Sequence, residues 1–196
     1  MTSFMIEQGT RMPGFSRAFG SVQRPHVCPT RAIQIIELTS KDAQLQTVYF
    51  EGLSDTSKYF RFMAPLSGLS RSLAGVLCNV HRDNHVVLMA AVREQGCVNM
   101  IGEARFVRKT AQSTQAEFAI SIADDWQGTG LASKLMTALE TRASQGGVTS
   151  LHGSVLRSNE AMKCFAERNG YKFHQDANEA RVVKAVKTLV PTSPLH

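Results

Sequence analysis

The sequence predicts an α/β (α+β) fold in which helices cover both faces of a mixed sheet. Three observations support this prediction. Apolar residues recur at steps of three and four over 69–80 and 131–143, which is helical spacing. Residues 85–92 and 97–107 are strand-length apolar runs joined by a short turn, as in a hairpin. Strand and helix patterns alternate without an internal repeat, giving the predicted order β-α-α-β-β-β-α-β-α-β-β.

Local signals predict the individual elements in chain order. Ser40 can cap the helix that follows the first strand, and a second helical segment is expected to begin near Ser54. The long helix over 131–143 carries its apolar residues on one stripe and ends before a Gly-Gly pair. Further elements are strands at 31–38, 115–123, 148–156, 171–174 and 181–189, and a short helix that ends before Gly170.

The chain has 196 residues, a length that suits one domain with tails. Proline is concentrated at the two ends, because only Pro65 lies between Pro29 and Pro191. We therefore expect an N-terminal tail over 1–30, a folded domain over 31–190 and a C-terminal tail over 191–196.

Charge and cysteine content restrict the function. Lys and Arg number 22 against 16 Asp and Glu, so the net charge of +6 indicates an anionic partner. Nucleic acid is not the expected partner, because no basic helix with interleaved aromatic residues is present. No apolar run approaches the ~20 residues that cross a bilayer. Cys28, Cys78, Cys97 and Cys164 form no CxxC pair, which predicts reduced thiols in a soluble, cytoplasmic protein.

The segment DWQGTGLA, residues 125–132, lies between a predicted strand and the long predicted helix. Gly128 and Gly130 allow the chain to turn tightly. The backbone N–H groups of residues 128–132 then converge at a helix N-terminus, which favours an anion such as phosphate. A connecting loop without a ligand is the alternative, because two glycines alone are a weak signal. Neither GxxxxGK[ST] nor GxGxxG with a following acidic residue fits the segment.

Residues 127–132 (QGTGLA) match the signature Q/R-x-x-G-x-G/A, and through it the chain resembles the GNAT superfamily of acetyl-CoA-dependent N-acetyltransferases. Residues 116–136 and 151–171 look like the two halves of that family's cofactor-binding core. The segments LSDTSKYFRF and IGEARFV look like the branch that contains the catalytic domains of bacterial protein-lysine acetyltransferases. Over about residues 31–190, the resemblance implies a mostly antiparallel sheet of six to seven strands flanked by about four helices.

The resemblance also implies a site for acetyl-CoA as co-substrate and no metal. Backbone amides of the glycine loop would bind the CoA pyrophosphate, and they belong to Gln127, Gly128, Thr129, Gly130, Leu131 and Ala132. Ile120 and Ile122, on the preceding strand, would pair with the pantetheine arm through their main chain. Asn159 matches a family asparagine that contacts the cofactor arm.

The reaction requires a base, because an alkylammonium has a pKa of about 10.4 in water. Glu117 occupies the position where the related lysine acetyltransferases carry a glutamate, so the resemblance implies that it is the base. Its alternative is an ordinary sheet-edge or salt-bridging carboxylate, and Glu103 is then the second candidate. Ala166 stands where many GNAT enzymes have a tyrosine that protonates the departing thiolate. No general acid is therefore identified, and water could serve because a thiol has a pKa of only about 8.5.

Other reactive residues receive structural interpretations. His152 is either a proton shuttle or a satisfied polar residue. Cys164 is expected to be packed rather than nucleophilic, and Tyr171 to be a core aromatic residue. His81 and His85 have no accompanying carboxylate or cysteine cluster, so they do not predict a metal site.

The expected function is transfer of an acetyl group from acetyl-CoA to a primary amine by direct attack in a ternary complex. The resemblance makes a protein lysine the acceptor of choice, with a small-molecule amine as an alternative because fold does not decide substrate. A non-catalytic acetyl-CoA- or CoA-binding regulatory module is a second alternative. A third alternative, a nucleic-acid-associated protein, is supported by the net charge alone. We expect a monomer or a homodimer.

Overall fold

The computed structural model describes residues 32–190, apart from positions 67, 69, 79–83, 95 and 177–178. Both predicted tails lie outside the described residues, and so does His81. The described strands are β1 (Gln34–Glu37), β2 (His85–Glu94), β3 (Cys97–Arg108), β4 (Gln115–Ile122), β5 (Ser150–Leu156), β6 (Lys172–Gln175) and β7 (Val182–Thr188).

These seven strands form one sheet in the order β1-β2-β3-β4-β5-β7-β6. The neighbours β4 and β5 are parallel, and the other neighbouring pairs are antiparallel. The predicted mixed, mostly antiparallel sheet is therefore confirmed. A parallel pair needs a crossover connection, and a helix provides it here.

The described α-helices are α1 (Ala43–Gly52), α2 (Asp55–Phe62), α3 (Arg71–Cys78), α4 (Leu131–Gln145) and α5 (Glu160–Arg168). Three of them lie between β1 and β2, where three helical segments were predicted although the predicted order counts only two. The middle helix, α2, is the segment expected to begin near Ser54, and it has its own capping signals. The Ser54 hydroxyl accepts a hydrogen bond from the Ser57 N–H, and Met63 ends α2 in a left-handed conformation with φ 55°. None of the described helices is long and apolar enough to span a membrane.

Successive side chains of each strand point to opposite faces of the sheet, and both faces are covered. On one face, called the α4 face, strand residues pack with α4 in a core that includes Val86, Leu88, Phe106, Phe118, Leu135 and Leu139. The opposite face, called the α1 face, has a second core that includes Tyr49, Phe50, Leu53, Val87 and Met89. The predicted arrangement of helices on both faces is confirmed.

A buried ionic network fixes α1, α2 and β3 to one another on the α1 face. The Glu103 carboxylate accepts hydrogen bonds from Gln46 Nε2 at 2.9 Å and from Arg61 Nη2 at 3.0 Å. Arg105 donates to the same carboxylate from Nε at 3.0 Å and from Nη2 at 2.6 Å, and its Nη1 donates to the carbonyl of Leu77 at 3.0 Å. Burial alone would raise the pKa of Glu103, but Arg105 and Arg61 lower it to about 2.

A glycine allows β4 and β5 to pack closely at one point. A Cβ atom at Gly153 of β5 would lie 2.7 Å from Cε1 of Phe118 on β4. The Phe118 ring is itself held by Tyr171, with ring centroids 4.9 Å apart. Neither ring can retreat easily into a core packed at crystal-like density, so a side chain at position 153 must displace neighbouring atoms.

The substitution Gly153→Ala tests this close approach. We expect it to lower the free energy of unfolding by about 1–3 kcal/mol, because overpacking forces rings and backbone to shift. The matched control is Gly75→Ala in α3, where a Cβ would meet nothing within 4 Å. That change removes a helix-interior glycine and should leave stability unchanged or raise it by up to about 1 kcal/mol. Urea unfolding measures both, and equal effects would contradict the packing argument.

The substitution Glu103→Gln tests the buried network. It leaves two arginines without their counter-ion, and we expect a loss of about 3 kcal/mol in the free energy of unfolding at pH 7. The folded pKa of about 2 lies below the ordinary value of 4.5, so the ionised carboxylate contributes fully above pH 4.5 and loses its contribution as pH falls towards 2.

The difference in free energy of unfolding between wild type and Glu103→Gln should therefore be about 1 kcal/mol smaller at pH 3.5 than at pH 7. Urea unfolding at the two pH values measures it. The control is Glu160→Gln, which removes an exposed pair with Lys163 and should change stability by less than about 0.5 kcal/mol. A gap that stays constant with pH would argue against an ionised Glu103.

Candidate active site

A cleft opens where β4 and β5 separate. Their parallel pairing covers only Gln115–Glu117 against Ser150–His152, although both strands continue beyond it. A cavity of about 820 Å³ lies at this divergence, within the usual size range of ligand pockets. Its walls come from β4, the following loop, α2, α5 and the first turn of α4. The sheet therefore splits between β4 and β5.

The backbone of β4 presents hydrogen-bonding groups to the cleft. The Ala123 N–H donates to the carbonyl of Ile101 at 3.0 Å, so odd-numbered residues of this segment direct their backbone groups towards β3. In an antiparallel ladder the alternate residues direct theirs the other way. Ile120 and Ile122, both lining the cavity, thus direct N–H and C=O groups away from β3 into the gap. An extended ligand could pair with them as a strand does.

The loop after β4 ends in an open helix N-terminus. Gly128 and Gly130 have positive φ values of 74° and 83°, which glycine adopts without strain. Gly130 is the N-cap of α4 and makes no side-chain capping bond, and the Lys134 N–H bonds the Gly130 carbonyl at 3.3 Å. The N–H groups of the residues between Gly130 and Lys134 have no partner within the helix. Together with the helix dipole they suit an anionic group.

The predicted loop residues divide into two groups. Gln127, Gly128, Gly130 and Ala132 line the cavity. The side chains of the other two have structural roles, because Thr129 Oγ1 donates to the Trp126 carbonyl at 2.7 Å and Leu131 is buried in the core of the α4 face. Thr129 and Leu131 can therefore contact a ligand only through the backbone.

Asn159 lies at the start of α5 and lines the same cavity. Its side-chain oxygen caps the helix by accepting a hydrogen bond from the Met162 N–H at 3.0 Å. A contact between this side chain and a ligand would accordingly come from its NH₂ group. The capping bond fixes the direction of the side chain before any ligand binds.

Helix α2 is tethered to the loop that follows β4, a feature absent from the sequence-based site. The Asp124 carboxylate accepts hydrogen bonds from the Ser54 hydroxyl at 2.7 Å and the Ser57 hydroxyl at 2.8 Å. Burial opposes ionisation of Asp124, but these bonds hold its pKa below the usual range. Gln127 Nε2 donates both to Ser57 Oγ at 3.1 Å and to the Ile122 carbonyl at 3.2 Å. The N-terminus of α2 is thus a fixed wall of the cavity.

Glu117 lines the cavity and is exposed. Its neighbour Phe118 lies in the core of the α4 face, so the Glu117 side chain lies on the α1 face. His152 of β5 is its direct partner in the register. Burial and the charge of Lys184 lower the pKa of His152, and Glu117 acts in the opposite direction. The imidazole beside Glu117 is therefore neutral at pH 7.

Glu103 does not suit the role of a second candidate base. It is absent from the cavity wall, its side chain is fully buried, and its carboxylate is occupied by Gln46, Arg61 and Arg105. With its pKa lowered to about 2 it is a weak proton acceptor. One member of the network still reaches the site, because Arg61 lines the cavity.

Side-chain burial tests the predictions made for Tyr171 and Cys164. Tyr171 is a core residue, as predicted: its hydroxyl donates to Glu140 Oε1 at 3.0 Å, and burial raises its pKa. Ala166 is fully buried. The prediction that Cys164 is packed is wrong, because it is exposed and lines the cavity. The buried stripe of α5 runs through Met162 and Ala166 instead, and Cys164 lies beside it.

The described residues contain no group of three or more His, Cys, Asp or Glu that could hold a metal ion. His85 is engaged elsewhere, since its Nε2 lies 3.3 Å from Arg105 Nη1. The polar groups of the cavity wall include Glu117, Arg61 and Asn159 as well as the backbone of β4 and the N–H groups at the start of α4.

Comparison with known proteins agrees with this geometry. The model of the acetyltransferase (GNAT) domain family matches residues 33–172. Acetyltransferase PA5475 of Pseudomonas aeruginosa is 26% identical over 172 residues, which cover 86% of this chain and 92% of that protein. Acetyltransferase Pat of Mycolicibacterium smegmatis is 36% identical over 117 residues, 60% of this chain and 34% of Pat. The chain thus matches about a third of Pat.

Among solved structures, the GNAT domain of S. lividans PAT superimposes with a TM-score of 0.72 and 27% sequence identity. The match covers 81% of this chain and 97% of that domain. The cleft between β4 and β5 and the glycine loop before α4 lie within the matched family region. The chain belongs to the GNAT family of acetyltransferases.

Proposed function

We propose that this GNAT acetyltransferase transfers the acetyl group of acetyl-CoA to the side-chain amine of a protein lysine. One observation carries the proposal: a single cavity has Glu117 in its wall together with the glycines that precede α4. The first supplies a proton acceptor and the second an anion site, and the reaction requires both. GNAT acetyltransferases in general use acetyl-CoA.

The residues present fit the shape and charge of acetyl-CoA. Its diphosphate would be bound by backbone N–H groups from Gly128 to Ala132 at the start of α4. Its pantetheine amides would pair with Ile120 and Ile122, adding as a strand to the edge of β4. The NH₂ group of Asn159, which lines the cavity, would contact the same arm.

Glu117 is the base in this proposal. Its carboxylate accepts a proton from the lysine ammonium, directly or through one water molecule. The neutral amine nitrogen then attacks the thioester carbonyl carbon, a C–N bond forms, and the C–S bond breaks with its electron pair on sulfur, while the nitrogen loses its second proton to water. Water can deliver a proton to the thiolate, since a thiol has a pKa of only about 8.5. Ala166 and the buried Tyr171 offer no side-chain acid there. No acyl-enzyme is needed, so the exposed Cys164 has no part in transfer.

The choice of a protein lysine rests on the resemblance of LSDTSKYFRF and IGEARFV to bacterial protein-lysine acetyltransferases. The first segment includes α2, whose residues Phe60 and Arg61 border the same cavity as Glu117. A small-molecule amine could occupy the same space, so the acceptor is decided by assay with both kinds of amine.

Acetyl-CoA binding is the first test. At about 100 times its dissociation constant, a ligand of the folded state stabilises it by ~2.7 kcal/mol, which we expect to raise the Tm by about 5–10 °C. Gly128→Glu should abolish the shift through charge repulsion and a blocked loop. Gly96→Glu is the matched control, because Gly96 also has positive φ and open space around it but lies in the β2–β3 turn. A shift retained in Gly128→Glu would contradict the proposed site.

Replacing the base is the second test. We expect Glu117→Gln to lower kcat by about 10²-fold or more, because proton removal from the amine is lost while binding is not. Thiol release measures the rate, and the acetyl-CoA thermal shift should match that of wild type. Glu160→Gln, which removes an exposed carboxylate on α5, should leave kcat unchanged. An unchanged rate in Glu117→Gln would remove it from the mechanism. Binding without turnover by wild type would favour the non-catalytic module.

A further inference from the structure

Half of the α1 face carries polar side chains beside the cavity. Gly153 and Ala185 are buried partners in the β5–β7 register, and Ala185 belongs to the core of the α4 face. The alternate residues of both strands therefore point to the α1 face, as Glu117 does. The same alternation in β6 places Lys172 and His174 there, because they pair with Val186 and Lys184.

The register arranges these side chains in two rows that run across the strands. One row leads from Glu117 of β4 through His152 and Val186 to Lys172. The second row contains Ser154, Lys184 and His174. Within the described residues these side chains are exposed or half-buried, whereas those of β2 and β3 on the same face are mostly buried under α1 to α3.

The charge of this area changes sign with distance from the base. Glu117 is negative, whereas Lys184 and Lys172 are positive, and no carboxylate of the described residues forms an ion pair with either lysine. Adjacent strands lie about 4.8 Å apart, so Lys172 is roughly 15 Å from Glu117. An extended peptide advances about 3.4 Å per residue, which brings residues two to four positions from the acceptor above Lys184 and Lys172.

We propose that this basic half-sheet, defined by Lys172, His174 and Lys184, binds acidic residues two to four positions from the acceptor lysine. The inference rests on the proposed function. A peptide with a cationic acceptor lysine and acidic flanking residues has charges opposite to those of Glu117 and of the basic half-sheet. Complementary potentials of this kind favour the association of the two partners. A polyanion such as nucleic acid fits less well, because Glu117 would repel phosphates at the edge of the same surface.

The test compares two synthetic peptides with one central lysine. One carries Glu at positions two to four on both sides, and the other carries Gln at the same positions. We expect wild type to have a kcat/KM about three- to tenfold higher for the acidic peptide, as for two exposed charge pairs. The preference should largely disappear in 0.5 M NaCl. It should also disappear in the double variant K172Q/K184Q, without loss of kcat/KM on the neutral peptide.

The matched control is K41Q/K109Q, which removes the same charge from exposed lysines on other parts of the chain and should keep the preference. Fluorescence anisotropy of the acidic peptide provides a readout that does not depend on turnover, and the affinity for this peptide should fall in K172Q/K184Q alone.

Equal kcat/KM for both peptides in wild type would overturn this inference and leave the protein-lysine acceptor standing. Acetylation of a small amine but of neither peptide would overturn the lysine acceptor, and the inference with it. Tighter binding of a DNA duplex than of the acidic peptide, lost in K172Q/K184Q, would reassign the surface to nucleic acid.

Discussion

The incomplete pairing of β4 with β5 is the constraint on which the site depends. The two strands are parallel, so α4 must cross over between them, and its N-terminus lies where β4 ends. When the strands separate beyond Glu117, the edge of β4 and the start of α4 open into the same cavity. Gly153 permits this geometry, because it accepts the Phe118 ring at the point where pairing ends. A fully paired β5 would occupy the backbone groups of β4 that we propose bind the pantetheine arm.

Two polar assemblies hold the walls of that cavity. The buried carboxylate of Glu103 joins α1, α2 and β3, and Asp124 joins the start of α2 to the glycine loop. Both carboxylates are ionised at neutral pH because hydrogen-bond donors surround them. Glu117 differs from Glu103 in being exposed to the cavity rather than enclosed by arginines. The structure thus separates carboxylates that position elements from Glu117, which we propose accepts the proton of the amine.

Several features of the site could be predicted because they are local in sequence. Gly128 and Gly130 identify a tight turn, and the following apolar stripe identifies a helix, so an anion site at their junction needs no long-range information. Other features could not be predicted in this way. The exposure of Cys164 depends on which stripe of α5 meets the core, and the wall formed by α2 depends on a contact between Ser57 and Asp124, far apart in sequence.

The sequence by itself determined the types of the elements, the loop before α4, the family and Glu117 as the candidate base. Hydrophobic periodicity and turn chemistry act over a few residues, and the family signature lies in one continuous segment. Only the tertiary structure argues against Glu103 as the base, because it is buried beside Arg61 and Arg105. The tertiary structure also brings Lys172 and Lys184 together in the basic half-sheet. Strand register and order arise from long-range pairing, and they bring residues from distant segments to one surface.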